Sequence, residues 1–252
     1  MGQMVGITDY WNKRADTYSI AVKGELESEV VRQWNKLLAE HIDFQADRPL
    51  RVLDVGTGPG FFAKLFAHRG CRVDAVDCSP DMLDRARANT LGLESSIAYH
   101  LMDATEMSFA DNTFDVVVTR NLTWTLTDPV KGYREWHRVL KNDGILLNFD
   151  ANWYSYLLDT KLNEQRLADQ IDPAVLSNTE GCATEEQCSA CEQIALMMPL
   201  TDKSRPQWDT EVLFDIGFSD VSHDVDVWKE VWDAGEKLYY ATSPLFMVAA
   251  TK

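Results

Sequence analysis

The stretch Arg51-Val52-Leu53-Asp54-Val55-Gly56-Thr57-Gly58-Pro59-Gly60-Phe61-Phe62 decides the fold. A short β-rich run ends in a glycine-rich turn. Beyond it Phe61, Phe62, Leu65 and Phe66 recur at helical spacing until Gly70 ends the helix. This is a strand, a tight turn and a helix, the opening unit of a parallel sheet.

Working outward, the unit repeats. Arg72 to Asp77 reads as a second strand. Ser79-Pro80-Asp81 then supplies an N-cap, a proline at the first helical position and an early acid ahead of Met82, Leu83 and Ala86. Ile97 to Met102 and Phe114 to Thr119 read as strands three and four. Asp128-Pro129 opens a helix carrying Val130, Tyr133, Trp136, Val139 and Leu140, which Gly144 is expected to close before strand five, Ile145 to Phe149. The tail offers a helix near Asp209 to Ile216, a strand through Val221 to Val227 and a final strand Leu245 to Ala250. Strands alternating with helices predict an α/β protein with helices on both faces of a largely parallel sheet.

Two segments escape the alternation: residues 1 to about 45, helical around Glu25 to His41, and residues from about 152 to 205. The expected organisation is an N-terminal helical cap over 1–45, a Rossmann-like core over 46–151, a mostly helical lid over 152–205, and completion of the core sheet by 206–252.

With 252 residues and 45% hydrophobic content, the chain can build one sizeable core. Its formal net charge of -16 disfavours nucleic acid and anionic lipid surfaces as partners. No stretch approaches the roughly 18 apolar residues of a membrane span, and Met1 to Tyr18 lacks a basic start before an apolar run, so a cytoplasmic location is expected. The five cysteines, Cys71, Cys78, Cys182, Cys188 and Cys191, are expected as reduced thiols.

The turn itself carries ligand chemistry. Glycines tolerate positive φ and let backbone amides approach a ligand closely. The dinucleotide fingerprint wants G-x-G-x-x-G, whereas Gly56, Gly58 and Gly60 read G-x-G-x-G, with Phe61 where the third glycine would fall. Asp54, two residues before Gly56, would repel a pyrophosphate and suit the ammonium of S-adenosylmethionine (SAM). Asp77, about twenty residues on, can accept hydrogen bonds from both hydroxyls of a ribose. Asp103 and Ala104, ending strand three, are placed to read an adenine edge, and Met82 to pack on the ring. A nicotinamide oxidoreductase is thereby disfavoured.

These pieces together resemble the class I SAM-dependent methyltransferase family, in its small-molecule branch related to ubiquinone and menaquinone biosynthesis. The matching segments are Val52 to Gly60, Val76-Asp77-Cys78-Ser79, Asp103-Ala104, Phe114-Asp115-Val116-Val117 and Arg138 to Gly144, where Lys141-Asn142-Asp143-Gly144 stands in place of Lys-Pro-Gly-Gly. The resemblance implies a seven-stranded sheet with the last strand antiparallel, and a cap helix at Tyr10-Trp11-Asn12-Lys13-Arg14-Ala15-Asp16-Thr17-Tyr18. The expected cofactor is SAM, contacted by Tyr10, Tyr18, Asp54, Gly56, Thr57, Gly58, Asp77, Cys78, Met82, Asp103, Ala104, Asn121 and Leu122.

For the methyl acceptor, a small molecule enclosed by cap and lid, the candidate contacts are Tyr18, Trp124 and Trp153. Asn121-Leu122-Thr123-Trp124 lacks both prolines of the Asn-Pro-Pro-aromatic pattern of nucleobase and glutamine methyltransferases. No histidine or paired carboxylate marks a catalytic base, and no ligand spacing marks a metal. Thr184-x-x-Gln187 reads as a capping box for a helix that carries Cys188, Cys191, Ala195 and Met198 on one face. Buried structural thiols fit that face. Two alternatives remain open: methylation of a thiol or of a metalloid such as arsenite through Cys182, Cys188 and Cys191, and a SAM-binding module without turnover.

Overall fold

The computed structural model describes residues 2–169 and 181–252, without the side chains of 2–5 and 169; the expected lid thus lies partly outside the described residues. Two helices, α1 (Gly2–Leu26) and α2 (Val30–His41), precede β1 (Arg51–Val55), α3 (Phe61–His68), β2 (Arg72–Asp77), α4 (Pro80–Asn89), β3 (Ile97–Leu101) and β4 (Phe114–Arg120). Then come α5 (Pro129–Val139), β5 (Leu140–Asp150), α6 (Thr160–Asp169), α7 (Glu185–Ala195), α8 (Gln207–Ile216), β6 (Asp220–Asp224), α9 (Trp228–Val231), α10 (Ala234–Tyr239) and β7 (Phe246–Thr251). Short 3-10 turns at Thr123–Thr125 and Ser155–Leu157 follow β4 and β5.

The seven strands lie in the order β3-β2-β1-β4-β5-β7-β6. β1 to β5 pair in parallel, and β7 inserts antiparallel between β5 and β6. Interior strands are buried almost throughout, because helices cover both faces, while the edge strands β3 and β6 carry polar residues. On one face α2 and α3 join the core: Trp34 stacks edge-on against Phe61, Phe62 and Phe149, with ring centres 5.0–5.7 Å away. On the other, Tyr133 and Trp136 of α5 pack with Leu53, Val117, Leu146 and Leu213.

Three elements depart from the sequence expectation. The helix placed around Glu25 to His41 is two helices, broken at 27–29, where Ser28 bonds the Glu25 carbonyl. β5 begins at Leu140 rather than after Gly144: buried Leu140 already pairs with Phe114, the register jumps to Val116–Ile145, and Asp143 bulges out at φ 61°. The strand expected to reach Val227 stops at Asp224, and Trp228 starts a helix.

A buried polar network ties the segment after β5 to the sheet. Asp150 accepts hydrogen bonds from the Trp124 and Ala151 amides and from the Trp153 indole. It also pairs with Arg205 at 2.7 Å, and Arg205 pairs with Asp209 at 2.9 Å, every partner being at most 1% exposed at the side chain. Tyr133 completes the network, donating to Asp209 and accepting from Asn148. Removing Arg205 would strand two acids in the core, so Arg205→Ala should cost about 3–5 kcal/mol, read as a lower denaturation midpoint at unchanged slope.

Candidate functional site

The chain runs outward from β1 through β2 to β3, then returns to the other side of β1 as β4. The loops after β1 and β4 therefore leave the sheet in opposite directions, opening a crevice at the carboxyl ends of the strands. The turn 56–60 and residues 120–122 form its two sides. They are in contact: a Cβ on Gly56, whose φ is +66°, would come within 2.8 Å of Leu122.

Within the turn, Asp54 Oδ2 accepts hydrogen bonds from the Thr57 hydroxyl at 2.6 Å and from the Ala63 amide at 2.9 Å. This acid thus fixes the turn and the first turn of α3 besides bordering the crevice. Asp77 accepts from Gly58 N on one oxygen and Ser79 N on the other, both at 2.9 Å. A carboxylate offers about four acceptor sites, so Asp77 keeps acceptor capacity for a ligand hydroxyl. Burial pushes both carboxyls up to about 6, against the hydrogen bonds that favour their charged forms.

α1 lies across the crevice. Ser79 caps α4 and donates to Asn12 at 2.6 Å; Asn89 reaches Ser19 and the Pro59 carbonyl, each at 3.0 Å; Arg85 pairs with Asp16. Ile7, Trp11, Tyr18 and Val22 accordingly face a cavity of about 80 Å3, shared with Asp54, Gly56, Thr57, Gly58, Asp77, Cys78, Met82, Asn121 and Leu122. Burial raises the Cys78 thiol to about 11, so it stays protonated at neutral pH.

A larger cavity of about 590 Å3 adjoins it, with Tyr18, Val22, Arg120 and Asn121 as the common wall. Its remaining lining includes Trp153, Tyr154, Tyr156, Tyr240, Glu25 and Glu236. At the boundary, the Arg120 guanidinium makes two hydrogen bonds to Glu25, at 2.6 and 2.9 Å, and covers the Phe61 ring at 3.9 Å. Asn121 holds φ at 58°, and its buried Oδ1 has no hydrogen-bond partner among the described residues.

Of the candidate cofactor contacts, Tyr10, Asp103 and Ala104 stand apart from both cavities. Tyr10 packs edge-on against Trp11 beside Cys191 and Tyr154; Asp103 caps its own turn through Thr105, and the Ala104 carbonyl accepts from Trp136. Among the candidate acceptor contacts, Tyr18 and Trp153 line the larger cavity, whereas Trp124 is buried against Tyr154 at 4.8 Å. The capping box at Thr184 and Gln187 is formed. Cys182 and Cys188 border the larger cavity, while Cys191 is buried and accepts from Tyr154 at 3.0 Å. Burial raises all three thiols, and the described residues contain no group of three potential metal ligands.

Sequence reasoning missed Arg120, Glu25 and Glu236. Arg120 ends a strand at the ligand edge of the sheet, a position that marks it. Nothing local marks Glu25, 95 positions away, or Glu236.

The site suits SAM. At Gly58 a backbone amide lies on Asp77 and a Cβ would approach Tyr18 at 3.7 Å, so a side chain would occupy the space between turn and cap. The two acids match a cationic donor and would repel a pyrophosphate.

Fold and site define a class I SAM-dependent methyltransferase domain, and a family described as "Methyltransferase domain" matches residues 53–148. The chain is 40% identical over 96 residues to a phosphatidylethanolamine N-methyltransferase of Cereibacter sphaeroides, covering 37% of this chain and 47% of that protein. To a demethylmenaquinone methyltransferase of Bacteroides fragilis it is 36% identical over 104 residues, 40% of this chain and 42% of that one. The chain thus spans less than half the length of either. A structure of Haemonchus contortus phosphoethanolamine N-methyltransferase 2 with SAM superimposes with a TM-score of 0.59 at 21% identity, over 87% of this chain and 52% of that one.

Two outcomes test this placement of the donor. Gly58→Ala should weaken SAM binding, measured by calorimetry, roughly tenfold or more, with a stability loss of only about 1–2 kcal/mol for the left-handed alanine. Affinity should also fall as pH is lowered through about 6, because protonating Asp54 and Asp77 removes the charges that favour a cation.

Proposed function

We propose that this protein transfers a methyl group from SAM to a small molecule held in the 590 Å3 cavity. The observation that carries the reading is the common wall: Tyr18, Val22, Arg120 and Asn121 border the glycine-turn crevice on one side and the larger cavity on the other. A donor seated on the turn and an acceptor in the cavity would meet there.

When bound, SAM supplies a methyl group already activated by the sulfonium charge. The chain's own task is positioning, which can lower a barrier by about 7–11 kcal/mol. In this reading Asp77 receives the ribose hydroxyls, Gly56, Thr57 and Gly58 present backbone to the donor, and Met82 packs on its base. Residues 46–151 and 206–252 form the donor-binding core, and the described parts of 1–45 and 152–205 enclose the acceptor. The aromatic part of the lining suits a compact organic acceptor, in keeping with the small-molecule activities named for the relatives.

Methylation of a thiol or a thiol-bound metalloid has one observation in its favour, Cys182 and Cys188 on the cavity wall. Against it, Cys191 faces Tyr154 and the thiols are held protonated.

The decisive experiment mixes the protein with SAM and a panel of small amines, phenols, quinols, thiols and arsenite, and follows S-adenosylhomocysteine. Product should form with a member of the panel, and Trp153→Ala should reduce turnover at least tenfold while SAM affinity stays within about twofold. SAM binding without product from any class would leave a donor-binding module without turnover; product from arsenite alone would favour the metalloid.

A further inference from the structure

The larger cavity carries more charge chemistry than a shape-selective pocket needs, and its cations are already committed. Arg120 is held by both oxygens of Glu25. Arg14 donates to the Gly181 carbonyl at 3.3 Å and to Thr17, and Arg166 stacks on Tyr156 at 3.9 Å. Glu192 accepts from the Tyr156 hydroxyl at 2.7 Å.

Glu236 is different. Its Oε2 accepts from the Asp233 amide at 2.9 Å in the capping box that starts α10, and its Oε1 takes no hydrogen bond from any described residue. It is half-buried and lines the cavity with Tyr18, Trp153 and Tyr240. The Trp153 and Tyr240 rings meet edge-on with centres 5.5 Å apart. Aromatic faces beside a carboxylate with a free lone pair attract a cation that also carries an N–H.

We infer that the acceptor is a primary or secondary amine, that it enters as its ammonium form, and that Glu236 binds it and takes its proton. This rests on the methyl-transfer reading above. The ammonium N–H bond breaks, and its proton passes to Glu236 Oε1. The freed nitrogen lone pair forms the new N–C bond as the methyl C–S bond breaks, that electron pair staying on sulfur. The product is a methylated ammonium and a neutral thioether, and Glu236 returns its proton to water.

The surroundings of Glu236 suit the exchange. Burial, reinforced by Glu25 of α1 and by Asp233 at the helix cap, lifts its carboxyl to about 7, while Arg120 of β4 and the Asp233 amide oppose the rise. In the free protein it is therefore poised between its two forms at neutral pH. A cation favours the charged form, so amine affinity should rise as pH increases to about 7 and level off above it.

The test is calorimetric titration of the protein saturated with S-adenosylhomocysteine, using trimethylammonium as probe, with tert-butanol and pivalate as uncharged and anionic counterparts of similar size. Trimethylammonium should bind best, releasing a proton below pH 7, as seen by comparing buffers of different ionisation enthalpy. Glu236→Gln, which keeps an acceptor for the capping box, should weaken it about tenfold or more and abolish proton release. Tyr240→Leu should weaken it with proton release retained. Equal binding of trimethylammonium by wild type and Glu236→Gln, preference for pivalate or tert-butanol, or no probe binding at all would overturn the inference. S-adenosylhomocysteine affinity is measured in the same samples: its absence would sink the methyl-transfer reading instead, and its retention in both variants shows that they fold.

Discussion

A guanidinium largely withdrawn from water must be matched, and the match Arg120 makes on the wall between the two cavities organises the site. Its partner Glu25 lies at the end of α1, and that one carboxylate also receives the Trp34 indole at 3.1 Å. Removing either charge would leave the other partly desolvated and without its partner, which is destabilising. The pair thus fixes the end of α1 against the carboxyl edge of β4, and Trp34 carries the constraint into the aromatic cluster with Phe61, Phe62 and Phe149. A helix that sequence alone would describe as a cap is held by the core it covers.

The sheet supplies the second half of the arrangement. Solid apolar strands leave their polar work to the residues at their ends, where backbone pairing stops and side chains can turn outward. Asp54 and Asp77 end up serving the turn and the crevice, Arg120 and Asn121 the boundary between cavities. Asn148 and Asp150 serve the network under the loops after β4 and β5. Asp150 anchors the chain beyond β5: through Trp153 it holds one aromatic wall of the larger cavity, and through Arg205 it joins that wall to α8. This wall of the larger cavity is thus tied to the sheet through buried charge as well as apolar packing.

The donor half of the site was legible because its chemistry is local. Glycine spacing, the acid before it and the acid ending β2 lie within one strand-turn-helix-strand unit, and short-range geometry brings them together. Of the boundaries that failed, the break at 27–29 is local, where Ser28 bonds the Glu25 carbonyl, and the early end of β6 at Asp224 has no counterpart in the residue pattern; at Leu140 tertiary pairing overrode a local signal, burial against Phe114 outweighing the expectation that Gly144 would close the helix before the strand. Tyr10, Trp124, Asp103 and Ala104 sit one step from the cavities because aromatic packing and turn capping claimed them first. The larger cavity could not be read, since Glu25, Arg120, Trp153 and Glu236 come from four distant segments and no periodicity links them.

α1 contributes Tyr18 and Val22 to the wall between the two cavities and Glu25 to the larger cavity alone, all on a single helix. Ligands in the two cavities would press on that one helix, and any coupling between them would be reciprocal. Whatever factor occupancy of the crevice imposes on affinity in the neighbouring chamber, the chamber imposes in return. The helix is in that sense a balance arm, and its seating is a quantity both sites weigh.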